Sequence, residues 1–457
     1  MAEQEQISSK SLSRWNFPGG SSTVFFIDSW LYFAIVLLCF LSFNHPDILH
    51  TIACTSAMLN GHIADFYDTV GAAFGNSNYL PATYVVFSLW GIPLKLLGFF
   101  KTVAELEPVW LFFWFKVLTS VFFAGSAVVL YKICLEFSKD QRRAILACVL
   151  WVSSPVAIFS QFIFGQYDIL SIFFMLLGLL YYVRGDLLRF SFWFSISVAF
   201  KYFPAFIFFP LLALKEKNIW KLAFYTALFS APNLIQIAMF YHSPAFVTGV
   251  LGFGAAKRAV NTGLMLWPFI CVYAYIVNFK HREPRDLYLY AKLGLASVVL
   301  IFSHLSPWHP QWFLILTPFI AILIAYSRDI KTMLFVDTVF SLGFFSHTFK
   351  AFPAAADTEL FRLGLWGFLN PAFAATRKIY LLSSVGIYEL GSKRNIFHII
   401  IVALVVLIFA SRNAIVKAVP EDAVQHSPYA IMRFRFYGVI GLFLVSVFYA
   451  YYRTLTL

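Results

Sequence analysis

A polar segment between two apolar stretches decides the fold: residues 45–81, HPDILHTIACTSAMLNGHIADFYDTVGAAFGNSNYLP. The preceding run, 27–43, is apolar and long enough to cross a bilayer, and 82–100 after the segment is apolar again. The acids and histidines between these runs are Asp47, Asp65, Asp68, His45, His50 and His62. Ionisable side chains near the hydrocarbon core of a membrane are energetically costly and usually have a function, so we expect a functional carboxylate here.

The composition of the whole chain is that of an integral membrane protein. Of its 457 residues, 60% are hydrophobic and 12% are charged, and Phe alone contributes 55. Soluble proteins have about 25% charged residues. Helices satisfy their own backbone in lipid, and the apolar runs are continuous rather than alternating. The sequence therefore predicts an all-α, polytopic membrane protein and excludes a membrane β-barrel.

Charge and cysteine content exclude two other classes of site. The net charge is +12, but the basic residues are scattered in short loops. This pattern fits the positive-inside bias of membrane proteins, and it argues against a nucleic-acid partner. The five cysteines form no CxxC pair, so we expect neither a disulfide framework nor a zinc site.

Loop charges predict the orientation of the chain. Residues 1–26 include Lys10 and Arg14 and lack a cleavage pattern, so we expect a cytoplasmic N-terminus and a retained first span. We predict one membrane domain with about 11 to 13 transmembrane helices. Its parts are the cytoplasmic 1–26, a large first extracytoplasmic loop at 44–81, core helices in 82–330 and C-terminal helices in 331–457.

Two stretches do not fit simple crossings. Residues 190–217 have basic residues at both ends and a Lys-Tyr-Phe-Pro break, which predicts a pair of short, broken, re-entrant helices. Full spans at 82–100 and 108–134 would place the basic segment 135–144 outside the membrane, against its charge. Either 82–100 is a short re-entrant helix, or one orientation is wrong.

This orientation places four polar clusters on one side of the membrane. They are the 45–81 segment, GQYD at 165–168, GFGAAKRAVN at 252–261 and SHLSPWHPQW at 303–312. Each follows or precedes a different helix, which is how a helical bundle forms a site at the membrane surface. We expect the active site to be extracytoplasmic.

Asp47 is the candidate general base. A carboxylate within hydrogen-bond reach of an alcohol can take its proton during group transfer. The alternative interpretation is that Asp47, after Pro46, only caps the helix that follows. Asp65 and Asp68 are candidates for substrate binding, although ADFYD also fits a turn with solvated acids.

Further candidates for substrate binding lie in the other clusters. Gln166 and Asp168 could contact the substrate, or Asp168 could cap a helix. Lys257 and Arg258 form a cation pair that suits a phosphate group or serves as an interfacial anchor. The remaining candidates form a polar-aromatic group consisting of His304, Trp308, His309 and Gln311.

A metal site formed by His304 and His309 lacks an evident third ligand, so no metal or cofactor is expected.

Lys116 and Lys201 lie inside apolar stretches, where a lysine is functional by default. Lys201 sits at a predicted break, so its side chain could instead snorkel to the membrane surface.

Several motifs occur in an order known from one superfamily. Asp47 precedes Ala57-Met58-Leu59-Asn60-Gly61, Tyr67 and Tyr79-Leu80-Pro81. Pro155 then precedes Gly165-Gln166-Tyr167-Asp168, followed by Lys201-Tyr202-Phe203-Pro204 and by Ser306-Pro307 with Gln311-Trp312. This order, between about residues 27 and 330, resembles the GT-C superfamily of polytopic glycosyltransferases. The closest likeness is to bacterial polyprenol-phosphate mannosyltransferases and to the mannosyltransferase of GPI-anchor synthesis.

The resemblance implies a GT-C-type bundle and an inverting, metal-independent sugar transfer. A hexose, with mannose preferred, would move from a polyprenyl-phosphate donor to a lipid-linked or surface glycan acceptor, with Asp47 as the base. The family often has two acids spaced by one residue, and His45 occupies the first of these positions here. The implied location is a bacterial plasma membrane, with the endoplasmic reticulum as the alternative.

Two other functional classes share this composition. A transporter or flippase of a lipid-linked saccharide would have the same broken helices and buried lysines, but it would more typically show repeated halves. A glycan polymerase or ligase would use a long outer loop, for which 346–390 is the candidate.

Overall fold

The described part of the chain is helical throughout. A computed structural model describes residues 22–75, 77–100, 108–252, 287–304, 309–351, 363–370, 393–410 and 429–456, together with 270, 271, 273, 274, 276 and 360. No β-strand occurs among these residues. The predicted all-α class is confirmed for them.

The helices are numbered in chain order. The first seven are α1 Ser22–Ser42, α2 Asp47–Leu59, α3 Phe66–Phe74, α4 Pro81–Leu96, α5 Pro108–Ser138, α6 Gln141–Val152 and α7 Pro155–Ile158. A π-helical turn, Phe159–Phe164, continues α7. The next five are α8 Asp168–Arg184, α9 Leu187–Phe200, α10 Ala205–Lys215, α11 Ile219–Phe240 and α12 Pro244–Phe246, which a second π-helical turn, Val247–Leu251, extends.

The later elements are fewer and include one 3₁₀-helix. They are α13 Leu287–His304, the 3₁₀-helix Pro310–Leu316, α14 Thr317–Ala325, α15 Ile330–Ala351, α16 Leu365–Leu369 and α17 Lys393–Ala410. The C-terminal elements are α18 Tyr429–Arg433, the π-helical turn Phe434–Gly438 and α19 Val439–Thr456.

Three helices among the described residues are long and apolar enough to cross a membrane. These are Val109–Ser138, Ile219–Phe240 and Ala430–Tyr449. The count rises to five if each of two bent pairs is one broken span. The pairs are Ile27–Ser42 with Asp47–Leu59, bent by 67°, and Gln141–Val152 with Pro155–Phe164, bent by 51°. The described part is therefore consistent with an α-helical membrane protein.

This count is lower than the predicted number of about 11 to 13 spans. Several apolar runs form helices of only 10–17 residues, such as Leu187–Phe200 and Leu289–Leu300. The apolar run that follows the basic segment 135–144 is divided between Val152 and Pro155, because Pro155 has no N–H to continue the helical ladder. Hydropathy alone does not reveal such breaks.

The predicted break in 190–217 is confirmed. Helix α9 ends at Phe200 and α10 begins at Ala205, with Lys201 and Pro204 between them. Helix α8 packs against α9. This packing is close, because a Cβ added at Gly178 would lie 2.4 Å from the Phe194 ring.

The segment 44–81, predicted as the first loop with a helix following Asp47, contains two helices, α2 and α3. Helix α2 packs on both α3 and α4. Most of α2 is buried, including Ile48, Ile52 and Cys54. Residues 51–57 are buried consecutively, so this part of α2 is enclosed on all sides although the segment contains six acids and histidines.

A buried ion pair joins the C-terminal part of the chain to the core. Arg435, in the π-helical turn Phe434–Gly438, pairs with Asp337 of α15. Its guanidinium also donates to the Leu150 carbonyl, at 3.1 Å, and to the Ser153 hydroxyl, at 3.2 Å. Both charged side chains are 2% exposed. The contacts connect α15, the C-terminal turn and the end of α6.

Replacing one member of this pair is expected to destabilise the fold. Arg435→Met leaves the Asp337 carboxylate buried without its cation, at a cost of about 3–5 kcal/mol in the free energy of unfolding. The double variant Arg435→Met/Asp337→Leu removes both charges and is expected to recover most of that loss. Unfolding in detergent, followed by circular dichroism, measures both effects. Equal destabilisation of the single and double variants would contradict the prediction.

Candidate functional site

Two corners of the chain bring polar side chains from distant segments into contact. One lies between α1 and α2, and the other lies where the π-helical turn Phe159–Phe164 ends at Gly165. The Gln166 amide Nε2 donates to Asp47 Oδ2 at 2.6 Å. Gln311 Nε2 in turn donates to Gln166 Oε1 at 3.0 Å. Three of the four predicted polar clusters thus contribute to one hydrogen-bonded row, which we call the Asp47 row.

Asp47 reaches this row because α1 and α2 meet at a sharp corner. The chain bends by 67° between them, and Asp47 is the first residue of α2 after Pro46. Among the described residues, its carboxylate contacts Gln166 and His45 rather than a backbone N–H of α2. The alternative interpretation of Asp47 as a helix cap is therefore not what the geometry displays.

Gln166 reaches the row because the π-helical turn ends at a glycine. Gly165 has φ +74°, in the left-handed region that favours glycine. A Cβ there would also lie 3.3 Å from three side-chain carbons of Lys116. The next residue, Gln166, is 2% exposed, and its amide Nε2 and Oε1 are both hydrogen-bonded to protein side chains.

His45 shapes the α1–α2 corner. Its ring stacks on Phe164 with 3.7 Å between centroids. Its Nδ1 accepts the backbone N–H of Asp47 at 3.2 Å and lies 3.4 Å from Asp47 Oδ1. His45 thus orients the backbone at Asp47 without adding a second acid.

A buried ion pair lies next to the Asp47 row, because Asp168 follows Gln166 by two residues. Lys201 Nζ is 3.0 Å from Asp168 Oδ1, and the two side chains are 4% and 7% exposed. Lys201 also donates to the Tyr79 hydroxyl at 3.0 Å. The break after α9 therefore directs the lysine into the protein rather than allowing it to snorkel, and the charge of Asp168 is matched by a cation.

Aromatic rings enclose the Lys201 ammonium. Its Nζ lies 4.7 Å from the Tyr79 centroid and 5.4 Å from that of Trp312, within the range of cation–π attraction. The His309 ring is 5.1 Å from Trp312, so His309 belongs to the same wall. Trp312 belongs to the same sequence motif as Gln311, and its Nε1 is buried with no hydrogen-bond partner among the described residues.

Asp65 and Asp68 have other contacts. Asp65 is exposed and hydrogen-bonded to the His62 ring at 3.1 Å, which holds the pKa of that carboxyl below its usual value. Asp68 Oδ1 accepts the Ala245 backbone N–H at 3.0 Å and so links α3 to α12. Neither contacts the Asp47 row within the described residues.

The remaining candidates lie outside the described part of the chain in whole or in part. Lys257, Arg258 and Trp308 are not described, and of His304 only the backbone is, as the last residue of α13. Within the described residues, no three His, Cys, Asp or Glu side chains cluster as metal ligands would.

Comparison with protein-family models, with curated proteins and with solved structures finds no match to this chain. The likeness to GT-C glycosyltransferases accordingly rests on the sequence motifs quoted above.

The Asp47–Gln166 contact can be tested without an activity assay. Gln166→Glu places a second carboxyl against Asp47, and two carboxylates this close hold one proton between them. Folding then takes up a proton, so stability is expected to be highest near about pH 4 and to fall towards about pH 8. Thermal unfolding across this range, with Gln166→Leu as the uncharged control, measures the effect. Identical pH profiles for the two variants would show that the side chains are not in contact.

Proposed function

We propose that this protein is a membrane-embedded inverting glycosyltransferase. It would move a hexose, with mannose as the expected sugar, from a polyprenyl-phosphate donor to a lipid-linked or surface glycan acceptor. One observation supports this most: the Asp47 carboxylate is fixed by buried Gln166, yet 40% of its side chain is exposed. A base must be both held in place and accessible to the acceptor hydroxyl.

The four candidate acids differ in ways that favour Asp47 as this base. Asp168 is buried and paired with Lys201, so its lone pairs face a cation. Asp65 is bonded to His62, and Asp68 accepts a backbone N–H. Only Asp47 among these four combines an exposed side chain with a place in the row formed by Gln166 and Gln311.

The proposed reaction is a single displacement at the anomeric carbon. The acceptor oxygen attacks this carbon from the face opposite the phosphate, and its proton passes to the Asp47 carboxylate. The bond from the anomeric carbon to the phosphate oxygen breaks, and its electron pair leaves with the polyprenyl phosphate. Because attack and departure occur on opposite faces, the configuration inverts. Lys257, Arg258 or His309 would stabilise the charge that develops on the leaving group.

The other polar groups would position rather than react. Gln166 and Asp168 are the sequence-predicted contacts to the acceptor or the sugar, but they are buried and bonded to protein partners, so we propose that they hold Asp47 and Lys201 in place. The polyprenyl tail would lie between Phe-rich helices, in contact with membrane lipid. The mechanism requires no cofactor, since a carboxylate and cations supply the base and the charge stabilisation.

The finer structural and cellular expectations belong to the same proposal. The helices would form a GT-C-type bundle of about 11 to 13 spans, with short re-entrant segments. The exposed apolar side chains of α11, which include Trp220 and Met239, fit a lipid-facing helix. The protein would reside in a bacterial plasma membrane, or alternatively in the endoplasmic reticulum, with its site on the extracytoplasmic side.

Replacing Asp47 is expected to abolish most of the transfer. Asp47→Asn keeps the size of the side chain but cannot take the acceptor proton, so the rate of transfer from a labelled polyprenyl-phosphate hexose should fall by about 10²–10⁴-fold. The assay uses purified protein with EDTA present. Asp65→Asn serves as the matched control, because it removes an exposed acid of the same segment outside the Asp47 row.

The same assay gives the contradicting outcomes. Wild-type activity of Asp47→Asn would remove Asp47 from the reaction. A product with retained anomeric configuration would exclude the single displacement. A wild-type protein that is inert with a panel of lipid-phosphate sugars would overturn the enzymatic proposal, and movement of a lipid-linked saccharide across vesicles would then be measured.

A further inference from the structure

Lys116 is a buried lysine whose hydrogen-bond partners among the described residues are backbone carbonyls. It lies in the third turn of α5 and is 1% exposed. Its Nζ donates to the carbonyls of Phe40 at 2.5 Å, Phe43 at 2.7 Å and Phe162 at 2.9 Å. A lysine ammonium has three N–H donors, so this arrangement satisfies all of them.

These carbonyls belong to the two corners that form the Asp47 row. Phe40 and Phe43 lie at the end of α1, and Phe43 is four residues before Asp47. Phe162 lies in the π-helical turn, four residues before Gln166. Carbonyls at a helix end lack partners within the helix and carry partial negative charge, so a cation is favourable there.

We propose that Lys116 is a positioning residue that fixes Gln166 against Asp47. One ammonium group binds both the end of α1 and the end of the π-helical turn. Asp47 follows the first of these ends in the chain, and Gln166 follows the second. Gly165 fits the same role, since its lack of a Cβ lets the lysine stem pass at van der Waals distance. The catalytic consequence of this inference rests on the proposed glycosyltransferase activity, whereas the positioning itself does not.

The first experiment measures the geometry directly. Hydrogen–deuterium exchange is followed by mass spectrometry on protein in nanodiscs for Lys116→Met, whose side chain keeps its length but donates no hydrogen bond. Amide exchange is expected to rise by about tenfold in residues 43–48 and 163–168, because both corners lose their common partner. Lys217→Met is the matched control, since Lys217 also donates to two carbonyls, of Ala213 and Ile276, at another place in the fold.

Kinetics separate positioning from a general loss of stability. A misplaced base is expected to lower kcat by about 10- to 100-fold for Lys116→Met with KM nearly unchanged. Lys116→Arg, which keeps the charge and the donors, should recover part of kcat. If Lys116→Met does not fold, Gly165→Ala tests the same contact, because its Cβ would press on the lysine stem at 3.3 Å.

Each outcome decides the proposal. Faster exchange confined to the two corners supports it, even if wild-type protein transfers no sugar; in that case only the glycosyltransferase proposal fails. Unchanged exchange at the two corners overturns the proposal. An equal rise along the whole chain also overturns it, and a wild-type kcat in Lys116→Met overturns its catalytic consequence.

Discussion

The corner between α1 and α2 is the constraint on which the site depends. A chain that turns by 67° beside a bilayer exposes carbonyls that lipid cannot satisfy. The Lys116 ammonium donates hydrogen bonds to the carbonyls of Phe40 and Phe43, and with its third donor it binds the carbonyl of Phe162 in the π-helical turn. The hydrogen bonds that satisfy these carbonyls therefore also set the distance between Asp47 and Gln166.

The buried charged side chains discussed above each have an ion-pair or hydrogen-bond partner. Lys116 has three carbonyls, Lys201 has Asp168 and the Tyr79 hydroxyl, and Asp337 has Arg435. Buried ions persist only when they are paired or fully hydrogen-bonded. Asp47 differs, because its partners among the described residues are the neutral amide of Gln166 and the ring of His45, and 40% of its side chain is exposed. This difference is the reason to place the chemistry there.

The sequence predicted the class of fold and the identity of the converging residues better than it predicted their surroundings. Composition indicated an all-helical membrane protein. Loop charge predicted that Asp47, Gln166 and Gln311 lie close together, and they form a hydrogen-bonded row. The helix that follows Asp47 was predicted, but its nearly complete burial was not, because Thr51, Thr55 and Ser56 are polar residue types. The partners of Lys116 could not be predicted, since they are backbone atoms without a sequence pattern.

The most direct test of the central claim asks which carboxylate the donor covers. Wild-type protein in nanodiscs is labelled with a water-soluble carbodiimide and an amine, with and without a polyprenyl-phosphate hexose, and the labelled acids are mapped by mass spectrometry. We expect Asp47 to be labelled in the free protein and protected by the donor, while Asp168 stays unlabelled in both states and Asp65 is labelled equally in both. Full labelling of Asp47 at a saturating donor concentration, with protection of another acid, would contradict the account.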